Sequence, residues 1–322
     1  MGVKGLGQFI EKHAKAAKTT VKLASLRELG YTRCAVDALN MFFGWHTVGK
    51  SRGLTAADGG NVNHLQGVFF TTIKLLHHGI IPVYVFDGKA PSAKAETQAK
   101  RKVIAETNGF KLTGGEIEET KQLINLLGVE AVIAPGEADA YCAVLAATNR
   151  VDFVLTKDYD ILTFGAPRIG VLDGEKITIV SLADILRLSA LTHDQFITMC
   201  SVMGNDYAPN IAGVGGETAY KLARKFTLDA IMDDREVSNP NARLMYHAAE
   251  DIYHLRHPEA LRETFTAAAG RLIIGVNVDN AETRFARIID IMTGKGFNNC
   301  RLEKSRSKFI DAMARFQAAR QN

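Results

Sequence analysis

Along the first half of the chain, short blocks of consecutive apolar residues alternate with stretches in which apolar residues recur every three or four positions. The first pattern suits strands buried on both faces, and the second suits amphipathic helices. Cys34 to Val36 reads as one such strand, closed by Asp37. Val83 to Phe86 is a second, closed by Asp87, and Val151 to Leu155 a third. Between the first two, Val62, Leu65, Phe69, Ile73 and Leu76 predict a helix over residues 61–78 that Gly79 terminates. Residues 116–127 predict a short amphipathic helix returning the chain to the sheet, and Ala138 to Ala147 a helix leading into the third strand. Arg168 to Val180 reads as a β-hairpin with Asp173-Gly174 at its turn, and helical text resumes at Ser181. Lys50 to Gly60 and Thr107 to Gly115 have loop composition, and Arg235 to Ala242 has that of a surface linker. Strands separated by helices predict an α/β fold, a central, mostly parallel twisted sheet flanked by helices.

Composition narrows this picture modestly. At 322 residues the chain is long enough for one large domain or two smaller ones, and 47% hydrophobic residues is ordinary for a protein with a sizeable core. A net charge of +4 permits nucleic acid as a partner without demanding it, so the distribution of charge matters more than its sum. Cys34, Cys142, Cys200 and Cys300 are far apart and show no metal-ligand spacing, which predicts buried thiols in a reducing compartment. No apolar run approaches a membrane span, and the start MGVKGLGQFI has no signal-peptide core and carries Leu6 where a myristoylation site needs Ser or Thr. The expectation is a soluble intracellular protein.

The acids change the picture more. Glu137 with Asp139 and Asp158 with Asp160 form two i, i+2 pairs on either side of the third strand, and Asp37 and Asp87 close the first two. Helix starts and turns account for many single acids. Acids at the carboxyl ends of several buried strands, however, converge on one crevice of an open α/β sheet. Clustered carboxylates repel unless a cation sits between them, and oxygen-only ligand sets suit hard divalent ions such as Mg²⁺ or Mn²⁺. A seventh acid, Asp206, lies in GNDY.

Basic residues then supply a partner for phosphate. From Lys89 to Lys111 the chain carries Lys89, Lys94, Lys100, Arg101, Lys102 and Lys111 against Glu96 and Glu106. Lys94 and Arg101 lie two helical turns apart and face the same way. A solvated helix face has the same composition, but beside a carboxylate crevice the run reads as a phosphate-gripping element. Further on, Gln195 to Phe226 places two amphipathic helices around Gly213-Val214-Gly215, with Lys221, Arg224 and Lys225 following. Glycines there expose backbone N–H groups at a helix start, an anion site suited to a nucleic-acid phosphate. The stretch resembles a helix-hairpin-helix. The tail after Asp233 is mostly helical, and basic residues outnumber acids from Arg287 onward.

Taken in order, MGVKGL, AVDALN, HLQGVFF to PVYVFDGKAP, APGEADAYCA, TKDYDILTFG and MGNDYAPNIAGVGGETA resemble the flap endonuclease family of structure-specific 5′ nucleases, over roughly residues 1–226. The resemblance implies a PIN-like fold with a helical arch, and a two-metal nuclease cleaving branched DNA with a single-stranded 5′ flap. Under it, Asp37, Asp87, Glu137, Asp139, Asp158, Asp160 and Asp206 bind two Mg²⁺ directly or through water, with Mn²⁺ as a substitute. Lys94 and Arg101 contact the scissile phosphate, and together with Asp37, Asp87, Glu137 and Asp158 form the catalytic set. Phe43, where the family often has Tyr, stacks on a base beside the cut. Gly2, the N-terminus once Met1 is removed, lies near the site, and Lys4, Lys89, Gly213, Gly215, Lys221 and Arg224 contact DNA. Backbone oxygens around Asn210, Ile211 and Val214 hold a monovalent cation, K⁺. The implied organisation is a nuclease core over residues 1–232, with the arch at about 88–135 and the hairpin element at about 195–226, and a helical extension over 233–322. A monomer working in the nucleus, or wherever DNA is replicated, is expected.

Three features depart from the family pattern. Asp139 stands where eukaryotic members carry Glu, shortening that side chain by one methylene. The interval from Asp87 to Glu137 is short, so the arch is reduced and a free 5′ end is less strongly selected, which leaves room for bubble, gap or junction substrates. No Gln-x-x-hydrophobic-x-x-aromatic-aromatic motif closes the chain, so sliding-clamp docking by that route is not expected. A compact chain of this kind suits a viral or otherwise streamlined replication system. Two other functions remain open on sequence alone: a junction-resolving nuclease of the same family, and a DNA-binding scaffold with weak or lost catalysis.

Overall fold

A computed structural model describes residues 2–51, 62–88, 113–256 and 261–321. Seven strands among these form one sheet: β1 (Lys18–Lys22), β2 (Arg33–Asp37), β3 (Ile81–Phe86), β4 (Glu130–Ile133), β5 (Phe153–Leu155), β6 (Arg168–Asp173) and β7 (Lys176–Ser181). Their order is β1-β7-β6-β5-β2-β3-β4. The pairs from β6 through β5, β2 and β3 to β4 are parallel, and β6–β7 and β7–β1 are antiparallel.

Strand periodicity explains why both faces are covered. Ala35, Val83, Val85 and Val154 point into one apolar layer, and their neighbours Cys34, Val36, Tyr84, Phe86, Phe153 and Leu155 point into the other. The first layer receives α1 (Leu6–His13), α5 (Ala138–Ala147), α6 (Asp160–Thr163) and α7 (Leu182–Ser189). It also receives α8 (His193–Val202), α9 (Gly216–Ala223), α10 (Leu228–Asp234), α11 (Pro240–Tyr253) and α12 (Leu261–Arg271). The second layer is built from α2 (Ala38–Ser51), α3 (Asn63–His77), α4 (Gly114–Leu126), α13 (Ala281–Gly294), α14 (Asn299–Glu303) and α15 (Arg306–Gln321).

Several expectations shift on the structure. The hairpin turn is Gly174-Glu175, one position later than the Asp173-Gly174 expected, because Asp173 is still paired with Lys176 and the positive φ falls on Gly174. Within the loop expected at 107–115, residues 113–115 begin α4 instead. Thr113 closes a capping box with Glu116, its hydroxyl accepting from Glu116 N–H at 3.2 Å while the Glu116 carboxylate accepts from Thr113 N–H at 2.6 Å. A cap of this kind contributes about 1 kcal/mol and offsets the two glycines after it. The second half of the interval 88–135 therefore holds α4 and the edge strand β4. The tail is split between layers, with Tyr246, Tyr253 and Phe265 in the first and Phe285 and Phe309 in the second. Of the cysteines expected to be buried, Cys300 is exposed because it lies on the short surface helix α14. Among the described residues no helix is long and apolar enough to cross a membrane. The loop at 50–60 and the basic run from Lys89 to Lys111 lie outside the described residues, apart from Lys50 and Ser51 at the end of α2.

Phe153 sits at the centre of the second layer, edge-on to Tyr31 and against the face of Gly170. Phe153→Ala is expected to cost about 3–5 kcal/mol. Urea unfolding should show this as a lower midpoint at unchanged m-value.

Candidate active site

Because β5, β2, β3 and β4 are neighbours and parallel, their carboxyl ends open on one edge of the sheet. Asp37 is the last residue of β2, and Asp87 directly follows β3. Glu137 is the residue before α5 and follows the turn after β4, while Asp158 lies in the turn after β5 and Asp160 opens α6. The topology thus brings together acids that are far apart in sequence.

Hydrogen bonds tie them into two groups. Asp87 Oδ1 accepts from Ala138 N–H at 2.8 Å, which holds it against the start of α5, beside Glu137 and Asp139. Asp158 Oδ1 accepts from Asp160 N–H at 3.1 Å, and its own N–H donates to Thr156 Oγ1 at 3.0 Å. Val3 N–H donates to Asp160 Oδ1 at 2.5 Å. Gly2 is required there, since a Cβ would stand 2.6 Å from both Asp158 Oδ1 and Asp160 Oδ1. Two tyrosines link the groups: Tyr207 OH donates to Glu137 Oε2 at 2.8 Å and Tyr253 OH to Asp160 Oδ2 at 3.4 Å, their rings 5.5 Å apart. Asn40 donates its backbone N–H to Asp37 Oδ1 at 3.3 Å and its amide to Asp158 Oδ2 at 3.5 Å.

The electrostatics bind all seven acids into one field. Burial holds the Asp37 carboxyl well above the usual carboxylate range, and repulsion from Asp139 and Asp87 adds to it. Burial does the same at Asp160, with further contributions from Asp158, Asp206 and Asp139. The Tyr207 phenol is raised by burial first and then by Glu137, Asp139 and Asp206. Asp139 acts on all three. Among the described residues no three acidic, histidine or cysteine side chains stand as a ready-made ligating group, so the acids converge without closing on one point. The donor set is oxygen throughout and carries excess negative charge, which fits hard divalent cations.

Lys89, Lys94 and Arg101 lie outside the described residues. Phe43 is half-buried on α2, whereas its neighbour Phe42 is fully buried, packed against Trp45 and Phe86. Lys4 is exposed and its N–H donates to the Gly204 carbonyl at 2.9 Å. In the hairpin between α8 and α9, Gly213 has φ +72°, and open space surrounds the Cβ positions of both Gly213 and Gly215. Lys221 and Arg224 are exposed nearby. Asn210 is exposed, Ile211 and Val214 are buried, and the Ile211 carbonyl accepts from Val214 N–H at 3.0 Å. Residues not anticipated at the acids are Asn40, Tyr207 and Tyr253. Tyr207 adjoins Asp206, a usable signal, but nothing in the helical tail distinguishes Tyr253 from a core residue.

Comparison with known proteins places these features in context. The sequence matches the XPG N-terminal domain over residues 1–108 and the XPG I-region over residues 128–206. Flap endonuclease 1 of Caenorhabditis briggsae is 33% identical over 295 residues, an alignment covering 81% of this chain and 76% of that protein. Flap endonuclease 1-A of Oryza sativa subsp. japonica is 38% identical over 266 residues, covering 73% and 69%. Among solved structures, flap endonuclease-1 from Methanococcus jannaschii superposes with a TM-score of 0.73 at 22% identity, covering 98% of this chain and 99% of that one. The catalytic core of Rad2 in complex with DNA substrate gives 0.67 at 24%, covering 97% and 100%. Human GEN1 in complex with Holliday junction DNA gives 0.66 at 20%, covering 97% and 78%. At these identities the structures establish the shared fold.

Raised carboxyl pKa values at Asp37 and Asp160 mean that the folded protein binds more protons than the unfolded chain above the usual carboxylate range. Their contribution to stability is therefore present in mild acid and lost as pH rises through the raised values. In chelator, the melting temperature should fall as pH rises above the usual carboxylate range, and millimolar Mg²⁺ or Mn²⁺ should remove the fall by binding the folded state. Calorimetric scans across pH with and without the ion check this.

Proposed function

The chain belongs to the flap endonuclease family of structure-specific 5′ nucleases, and from that premise we propose how its own residues recognise and cut DNA. The observation that carries the proposal is the convergence of acids at the carboxyl edge of the sheet, where Asp37 ends β2, Asp87 follows β3, and donors from Ala138, Val3 and Tyr207 hold Asp87, Asp160 and Glu137. Asp37, Asp87, Glu137, Asp139, Asp158, Asp160 and Asp206 would hold a pair of divalent cations, Mg²⁺ or in its place Mn²⁺. Such ions, when bound, supply a polarised water and a Lewis acid for the leaving oxygen of an in-line displacement.

The protein's part is placement. Burial and the Tyr207 and Tyr253 hydroxyls fix the orientation of Glu137 and Asp160, so the carboxylates do not have to reorganise when the substrate arrives. Lys94 and Arg101 offset charge on the scissile phosphate, and Lys89 and Lys4 add to the basic surface along the strand. Phe43 offers a ring on which the base beside the cut stacks. On the uncleaved duplex, backbone N–H groups around Gly213 and Gly215 grip a phosphate, with Lys221 and Arg224 beside them. Carbonyls around Asn210, Ile211 and Val214 hold K⁺ there.

The substrate is branched DNA with a single-stranded 5′ flap, also degraded 5′→3′ from an end, and the enzyme acts as a monomer at sites of replication and repair. A core over residues 1–232 carries the acids and the DNA contacts, and 233–322 braces it and supplies Tyr253. Of the interval expected for the arch, α4 and β4 occupy the part from Thr113 onward. A junction-resolving role fits less well: the sequence relatives at 33% and 38% identity are flap endonucleases. It also needs two sites acting together. A non-catalytic scaffold would have no cause to retain seven mutually repelling acids.

Labelled flap, nicked-junction and four-way-junction DNA, incubated with Mg²⁺, test the proposal. The flap should be cut fastest, and Asp158→Asn should lose on the order of 100- to 1000-fold in rate while still binding DNA. Equal cleavage by mutant and wild type means the reacting centre lies elsewhere. Affinity should also fall steeply with salt, because phosphate contacts release counterions.

A further inference from the structure

The N-terminal segment touches both the acids and the hairpin. Val3 N–H donates to Asp160, and one residue later Lys4 N–H donates to the Gly204 carbonyl in the loop that opens the hairpin. From there α1 runs to a second contact with the hairpin. His13 Nε2 lies 2.5 Å from Glu217 Oε1 in the first turn of α9, and Lys12 Nζ lies 3.0 Å from the same oxygen. The rings of Phe9, His13 and Tyr220 pack together, with centroids 4.6–5.3 Å apart. Tyr220 OH donates to the Ser189 carbonyl at 2.8 Å, anchoring that stack to the end of α7.

We infer that α1 is a spacer between the hairpin and the acids that selects which phosphodiester is cut, with Glu217 and His13 as its positioning residues. The inference rests on the nuclease reading, in which the hairpin grips the uncleaved duplex. Two physical reasons support it. First, Glu217 lies in the first turn of α9, at the helix start whose N–H groups the nuclease reading assigns to a phosphate, and an unrestrained carboxylate there repels that phosphate. Lys12 and His13 draw that carboxylate onto α1, so one contact both clears the anion site and ties the hairpin to the helix. Second, duplex DNA is stiff over this distance, with a persistence length of about 150 base pairs. A displaced grip therefore displaces the scissile phosphate, and a slip of one base pair, about 3.4 Å along a strand, presents its neighbour. The eight residues of α1 span about 12 Å and are held at both ends.

The test is product length on a sequencing gel, using a 5′-labelled flap substrate with wild type, Glu217→Ala, His13→Ala, the double variant and Glu217→Asp. Wild type should give one dominant product. Glu217→Ala should spread products over neighbouring positions and lower kcat by about 10- to 100-fold, with KM within about twofold. His13→Ala should give a weaker spread, because Lys12 keeps its hold, and Glu217→Asp should partly restore the single product. The double variant should match Glu217→Ala, since both remove one shared contact. Simple loss of stability lowers the active fraction without moving the cut. Wild type that fails to cut overturns the nuclease reading. Wild type cutting at one position, with Glu217→Ala cutting only at that position, overturns the spacer alone.

Discussion

Mutual repulsion among clustered carboxylates, three of them (Asp37, Glu137 and Asp160) buried away from water, is the constraint to which the sheet's carboxyl edge answers. Two unit charges 4 Å apart repel by about 4 kcal/mol at an effective dielectric of 20. A domain's whole stability is only about 5–15 kcal/mol, so ionised acids at the buried positions Asp37, Glu137 and Asp160 are costly without a counter-charge. Two relieving states exist. Protonation is the one expressed in the raised carboxyl groups of Asp37 and Asp160. Bound divalent cations are the other, and the oxygen-only donor set favours them.

The surrounding fold holds the acids in place in spite of that repulsion. Parallel pairing of β5, β2, β3 and β4 fixes the edge, and apolar layers on both faces keep the strands from relaxing apart. Where repulsion would splay the side chains, donors restrain them: Ala138 N–H on Asp87, Val3 N–H on Asp160, Tyr207 on Glu137. These donors come from α5, the N-terminus and the loop after α8, so the acid centre and the hairpin share one framework.

Much of this was legible in the sequence, for identifiable reasons. Strands buried on both faces appear as uninterrupted apolar runs, and an acid ending such a run has no packing explanation, so Asp37 and Asp87 stood out. The i, i+2 pairs after Pro135 and Lys157 were visible in the same way. What escaped depended on contacts between distant segments. The edge strand β1, KTTVK, is mostly polar because it has one open side, and β4 is only four residues long. Tyr253 reads as an ordinary core aromatic until α11 is placed beside Asp160. The capping box at Thr113 was present as Thr-x-x-Glu but lay beneath a glycine pair that suggests a loop. The contact of His13 with Glu217 joins residues 204 positions apart and leaves no local trace.

The most direct measurement is an anomalous difference map from a crystal of the protein soaked in Mn²⁺. The account predicts two peaks about 4 Å apart at the carboxyl edge of the sheet, between the Asp37–Asp87–Glu137–Asp139 group and the Asp158–Asp160–Asp206 group. No peak there, with manganese bound only at scattered surface acids, would contradict it.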